Sequence, residues 1–281
     1  MGWRLRIEHV TRFTYTSPAM ASYNEARMTP LTTAGQMTLD ARISVTPAVS
    51  VYRYWDYWGA QVVAFDVHEP HDVLSVTARS LIETTALPSR DGEPHVTWTE
   101  LAAAAADGPL AEMTALTPRT TVTPELVARV AAEVRRPTPT ETAHSVAEWV
   151  RERLTYMRGT TTVRSNAQQV WDAGSGVCQD LAHVTIALLR GLGIPCRYVS
   201  GYLHPRQEAG VGEVVRGESH AWVEWWTGDW YAFDPTNGTV PGERHIVVAR
   251  GRDYGDVTPF KGVYRGGASK LEVLVDVTRL A

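Results

Sequence analysis

Hydrophobic and polar residues alternate with period two through much of the first hundred positions. Trp3, Leu5 and Ile7 share one face of an extended segment, with Arg4, Arg6 and Glu8 opposite. Leu39, Ala41, Ile43 and Val45 repeat this against Asp40, Arg42 and Ser44, and QVVAFDV and DVLSVTARSLIETT continue it. Short strands separated by Pro-, Gly-, Ser- and Thr-containing stretches predict an antiparallel β-sandwich. The aromatic cluster Tyr52, Tyr54, Trp55, Tyr57 and Trp58 falls in this region and reads as hairpin and core aromatics rather than a ligand platform.

The period changes in the second half. DGPLAEMTALTPRTTVTP carries neither period and reads as a linker. Thr123 is then a good N-cap with Pro124 at the first helical position, and ELVARVAAEVRR follows. TETAHSVAEWVRERL predicts a second helix with Ala143, Val146, Ala147, Val150 and Leu154 on one face. CQDLAHVTIALLRGLG predicts a third, apolar nearly all round and therefore a core helix. Strands return in PCRYVSGYL, GESHAWVEWW, DWYAFDPTNG, RHIVVAR and KLEVLVDVT. Strands first, then helices followed by an antiparallel sheet, is α+β organisation. The expected division is a β-rich domain over residues 1–110 and a second, helix-containing domain over 111–281.

Composition narrows the function classes. With 27 Lys+Arg against 31 Asp+Glu the net charge is −4, and no basic stripe predicts a nucleic-acid partner. Lys261 and Lys270 are the only lysines, which reflects coding bias rather than chemistry. No apolar run approaches the roughly 18 residues of a membrane helix, and MGWRLRIEHVTRFTY has no signal-peptide pattern. The expectation is a cytoplasmic protein without a membrane partner. Cys178 and Cys196 stand at opposite ends of the third helix, about 20 Å apart at roughly 1.5 Å per residue, too far for a disulfide.

Cys178 opens that buried helix, where Asp, Ser, Thr or Asn would cap better. A helix N-terminus carries partial positive charge and unpaired N–H donors, so a thiol there is acidified and its own N–H can face an oxyanion. Gly174 and Gly176 allow a tight turn and a close substrate approach. Position alone leaves nucleophile and buried filler evenly matched. His220 and Asp234 change the balance. They lie near the start of one strand and the end of the next, and Thr227-Gly228-Asp229 joins the two as a hairpin, so both fall at one edge. Asp234 there can accept the imidazole Nδ1–H and leave Nε2 for the thiol.

GVCQDLAHVTIALLRGLGIPCRYVSGYL, SHAWVEWW and WYAFDPTNG closely resemble bacterial transglutaminase-like proteins of the papain-like cysteine superfamily. HIVVARGRDYGDVTPFKGVYRGG is similar to a C-terminal signature of that subgroup, and the β-rich half resembles its N-terminal domain. Cys196 departs from the expected GIPARYVSGY, a small-for-small change. The resemblance implies a core with a central buried helix packed on an antiparallel sheet. It places a catalytic triad on Cys178, His220 and Asp234.

Gln179, Asp180 and Ser219 are the candidate substrate-binding residues, against ordinary loop polarity for Gln179 and Ser219 and dipole compensation for Asp180. Asp180 is expected to face away from the thiol, whose pKa a nearby carboxylate would raise. His183, about 140° round the helix from Cys178, reads as a hydrogen-bonded core histidine. A zinc site from Cys178, Cys196, His183, His204 and His220 is disfavoured because no paired ligand spacing exists. Tyr156, Asn166, Gln168, Gln169 and Trp171 all remain candidates for a second oxyanion donor. The expected chemistry is thiol-dependent acyl transfer on a peptide or protein carboxamide, with hydrolysis preferred over transfer to an amine. A non-catalytic binding module on the same fold is the rival class. No metal or cofactor is expected, calcium having no acidic-loop signature, and a homo-oligomer is compatible with the sequence.

Overall fold

The computed structural model describes residues 2–86, 96–208 and 210–281. Strands β1 (Trp3–Ala19), β2 (Ala21–Ala26), β3 (Gln36–Thr46), β4 (Tyr52–Trp55), β5 (Gln61–Val67) and β6 (His71–Thr84) come first. Helices α1 (Trp98–Ala104), α2 (Gly108–Thr114), α3 (Pro124–Val134) and α4 (Pro139–Arg153) follow. Next come β7 (Thr155–Tyr156), α5 (Ala167–Ala173), β8 (Ser175–Gly176) and α6 (Cys178–Gly191). The chain closes with β9 (Cys196–Leu203), β10 (Val214–Trp226), β11 (Trp230–Phe233), β12 (His245–Gly251), α7 (Tyr254–Val257), β13 (Phe260–Arg265) and β14 (Ser269–Arg279).

One antiparallel sheet runs β12-β9-β10-β14-β1-β6-β3, with β11 also paired to β10. A smaller sheet runs β13-β2-β5-β4. The last strand, β14, sits between β1 and β10 and pairs with both, so it splices the N-terminal strands onto those that carry the site. The fold is α+β, as its periodicities predict. The odd-numbered face of β1 serves two apolar cores. Leu5 and Ile7 join the helices, while Tyr15 joins Val63, Phe65 and Leu74 between the two sheets. Between them, buried His9 bonds the Tyr202 hydroxyl through Nδ1 at 2.9 Å. Burial pushes the His9 pKa down to about 4.

Helix α6 lies in the first of these cores, and Leu181 to Arg190 are all buried. The chain must therefore satisfy the α6 terminus internally. At the C-terminal end the Leu192, Gly193 and Ile194 N–H groups do so, donating to the carbonyls of Leu188, Arg190 and Leu189, while the Arg190 guanidinium ties the helix to the carbonyls of Cys196, Ala115 and Arg252. Thr138 and Glu141 form a capping box that starts α4, with Pro139 in the first turn. Among the described residues no helix is long and apolar enough to cross a membrane.

Three expectations need correction. The stretch read as a linker contains α2, which Asp107 caps by accepting the Gly108 N–H at 2.7 Å. Two turns are too short to display a hydrophobic period. The aromatic cluster does form an edge strand and turn, but Tyr52, Trp55 and Tyr57 are 68%, 64% and 77% exposed, not core. Leu39 is the extra residue of a register shift between β3 and β6, and that bulge leaves it exposed.

Replacement of Leu188 by Ala in the buried helix is expected to cost about 2–5 kcal/mol. Leu39→Ala at the exposed bulge should stay within about 0.5 kcal/mol. Urea unfolding of both variants checks the contrast.

Candidate active site

Helix α5 ends at Gly174, whose left-handed φ of 66° turns the chain toward α6. The short strand β8 then pairs in parallel with β7, Tyr156 opposite Gly176, and aims the backbone at Cys178. Val177 occupies the N-cap without a polar side chain. Asp180 supplies what it lacks: its Oδ2 accepts the Val177 N–H at 2.8 Å and the Thr161 hydroxyl at 2.6 Å. A Cβ on Gly176 would lie 2.6 Å from the Cβ of Asp180. The glycine thus makes room for this internal carboxylate, not for an approaching substrate. Asp180 is fully buried, and burial raises its pKa against the opposing Thr161 and Val177 donors.

The histidine and aspartate come from the β10–β11 hairpin. Val223 pairs with Phe233, so the same register sets Asp234 across from Trp222, one diagonal step from His220. His220 Nε2 lies 2.6 Å from Asp234 Oδ2. This reverses the expected ring orientation: Nε2, not Nδ1, meets the carboxylate, and Nδ1 is the nitrogen left for Cys178. Trp222 lies beside the imidazole at 6.1 Å between ring centres. Gly201 admits the indole, since a Cβ there would stand 2.7 Å from it. Burial alone would lower the His220 pKa, but hydrogen bonds and charge from Asp234 and Cys178 win and raise it to about 10.

Asp234 is fully buried yet richly solvated by protein donors. Oδ1 accepts the backbone N–H groups of Thr236 and Asn237 at 2.9 and 3.1 Å. Oδ2 accepts from Asn237 Nδ2 at 2.6 Å and faces both His220 Nε2 and His245 Nε2, the latter at 3.2 Å. Burial would raise this carboxyl's pKa, but those donors and the His220 charge hold it well below the usual carboxylate range. His245 was missed in the sequence. The Gly242 N–H points at its Nδ1 at 3.3 Å, which leaves the proton on Nε2 for Asp234. Its distance in sequence from the hairpin, at the start of β12, hid this contact; only the HIVVARGRDY signature around it gave a signal.

A cleft of about 480 Å³ opens over Cys178 and His220, and Gln179, Ser219 and Tyr156 line it. Asp180 lies beneath, turned to the loop that carries Thr161. His183 and Cys196 are not drawn in. His183 Nε2 accepts the Tyr254 N–H at 3.1 Å, and burial first, then nearby Arg119 and Arg190, push its pKa down to about 3. Cys196 is a free, buried thiol that burial pushes up to about 12. Among the described residues, the only group with metal-site spacing is His220, Asp234 and His245. Its atoms are already committed to one another by hydrogen bonds.

Residues 125–235 match the family described as the transglutaminase-like superfamily, and residues 5–83 match the bacterial transglutaminase-like N-terminal region. The chain is 45% identical to the uncharacterized protein ML0607 of Mycobacterium leprae, over 99% of this chain and all of that one. It belongs to the transglutaminase-like superfamily, in the group that carries this bacterial N-terminal region. A protein-glutamine gamma-glutamyltransferase of Pseudomonas aeruginosa is 38% identical over 79 residues, 26% of this chain and 11% of that one. The fold matches a crystal structure from Cytophaga hutchinsonii, designated a candidate cysteine protease, with TM-score 0.81 and 22% identity. That match covers all of this chain and 92% of the other.

The raised His220 pKa has a sign that unfolding can read. The folded protein keeps a proton that the unfolded chain releases between pH 6.5 and about 10. The stabilisation is complete below pH 6.5 and disappears as the pH rises through about 10. Urea midpoints of the wild type should therefore fall more steeply across that window than those of His220→Gln.

Proposed function

We propose that this protein is a thiol-dependent acyl transferase acting on peptide or protein carboxamides, with water as its principal acceptor. The carrying observation is His220, hydrogen-bonded to a buried, donor-rich Asp234 and sharing one cleft with Cys178. In this reading Cys178 is the nucleophile, His220 the proton carrier and Asp234 the group that fixes the ring.

The thiolate of Cys178 attacks the carbonyl carbon, and the C=O electron pair moves onto oxygen. The Cys178 N–H, unpaired within the helix because it lies in the first turn, faces that oxyanion. The pair then returns, the C–N bond breaks, and the proton on His220 Nδ1 goes to the departing amine. A thioester remains. Water enters as the second nucleophile, gives its proton to Nδ1, and a second collapse releases the carboxylic acid and the thiolate. Asp234 stays ionised throughout and holds Nε2–H, so the ring trades protons only at Nδ1.

Hydrolysis is favoured because the cleft wall is wet. Arg158 pairs with Glu218 and Arg216 with Asp276 at its rim, all four side chains at least 39% exposed. Transfer to an amine is the second reading, favoured by the Pseudomonas relative's name. Gln179 and Ser219, exposed to the cleft, are assigned to the substrate; Asp180 supports the loop beside it. A cytoplasmic location is part of the same reading.

Near pH 6.5, well below the free-thiol value of about 8.5, iodoacetamide should label Cys178 much faster than buried Cys196. His220→Ala should slow Cys178 to the rate of an ordinary accessible thiol at that pH, with Cys196 still unlabelled. Cys178→Ala should remove turnover on peptide amides, and activity should fall as the pH rises through about 10 and His220 loses its proton. Free acid as the main product with a competing amine present supports hydrolysis; a new amide supports transfer. Full turnover in Cys178→Ala would sink both.

A further inference from the structure

The Cys178 N–H gives the oxyanion one donor, and a tetrahedral intermediate of this kind is held by at least two. Five residues ahead of the nucleophile carry suitable groups, and the structure separates them. Asn166 and Gln169 cap each other at the start of α5. Gln168 accepts the Thr123 N–H and donates to Asp172. Trp171 stacks on Trp149 at 4.9 Å, away from the cleft. Only Tyr156 of the five lines the cleft with Cys178, and it is 44% exposed there.

Its backbone is fastened to the strand that delivers the nucleophile. The Thr155 N–H donates to the Gly174 carbonyl at 3.0 Å, and the Met157 N–H to the Gly176 carbonyl at 2.8 Å. Tyr156 is thereby held opposite the residue two before Cys178. Arg158, which lines the same cleft and pairs with Glu218, can only donate, so the Tyr156 hydroxyl is the group beside Cys178 that can both accept from it and donate toward a substrate oxygen.

We propose that the Tyr156 hydroxyl is the second oxyanion donor, opposite the Cys178 N–H. The inference rests on the acyl-transfer reading and names a catalytic residue for it. As the C–S bond forms and the carbonyl pair moves to oxygen, the phenol donates a hydrogen bond without transferring its proton. When the pair returns and the C–N bond breaks, that bond weakens again. The phenol stays protonated at neutral pH, because burial raises its pKa more than Arg158 lowers it.

The test is Tyr156→Phe in the full chain, with Gln168→Leu, outside the cleft, as the control. Three readouts separate the roles: steady-state cleavage of a peptide amide, affinity for a peptide aldehyde, and the rate of Cys178 alkylation by iodoacetamide. Alkylation passes through no oxyanion. Tyr156→Phe should lower kcat roughly 100- to 1,000-fold, with KM and alkylation unchanged. Aldehyde affinity, which depends on the hemithioacetal oxyanion, should fall in parallel. Unchanged kcat in Tyr156→Phe overturns the assignment and leaves acyl transfer standing. So does a loss that appears instead in Gln168→Leu, or an equal fall in alkylation. A wild type that neither cleaves nor binds the aldehyde overturns acyl transfer and this assignment together.

Discussion

The buried carboxylate of Asp234 is the constraint on which the site depends. A charge with no solvent access is costly unless protein donors replace water. Here five hydrogen bonds do so, two from the backbone of the turn that follows it and three from side chains. The turn supplies its two because Asp-Pro-Thr-Asn-Gly folds back on the aspartate: the Gly238 N–H returns to the Asp234 carbonyl at 2.8 Å. With the charge secured, Oδ2 fixes which nitrogen of His220 it meets and therefore which faces the thiol. His245, neutral and held by Gly242, adds a donor without adding a competing charge.

The sheet explains how these groups stay in place. His220 sits on β10, which pairs with β9 on one side and with β14 and β11 on the other. Because the whole of β14 also pairs with Leu5–Tyr15 of β1, the histidine strand and the N-terminal strands are held in one continuous ladder. Cys178 is fixed differently. Its helix is buried on every side, and its first turn is held by Asp180 and the β7–β8 bridge rather than by a polar N-cap. Val177, which has no polar side chain, can hold the N-cap position just before Cys178 because Asp180 reaches back to the Val177 N–H.

Much of this was legible in the sequence. Periods of two and of about 3.6 residues marked β1, α3, α4 and α6, and long helices with Thr-Pro starts left little ambiguity. The hairpin between His220 and Asp234 was legible because so short a turn, Thr227-Gly228-Asp229, makes its two strands antiparallel neighbours. What stayed hidden depends on contacts between distant segments or on very short elements. Helices α1, α2 and α5 are too brief to show a period. His245 reaches Asp234 from another strand. The ring orientation of His220 follows from tertiary placement, since either nitrogen satisfies the spacing. Gly176 looked like space for a substrate, but only the folded Asp180 reveals its occupant.

Asp234 holds His220 at Nε2 and so should keep the ring charged with Nδ1 toward Cys178. Nitrogen-detected NMR of the ring, in the wild type and in Asp234→Asn, reads this out. The wild-type imidazolium should persist well above pH 6.5 and lose its proton near 10, with Nε2–H retained afterward. In Asp234→Asn the titration should move down toward the ordinary value. A wild-type ring that titrates near 6.5 and leaves Nδ1–H as the neutral form would contradict this assignment.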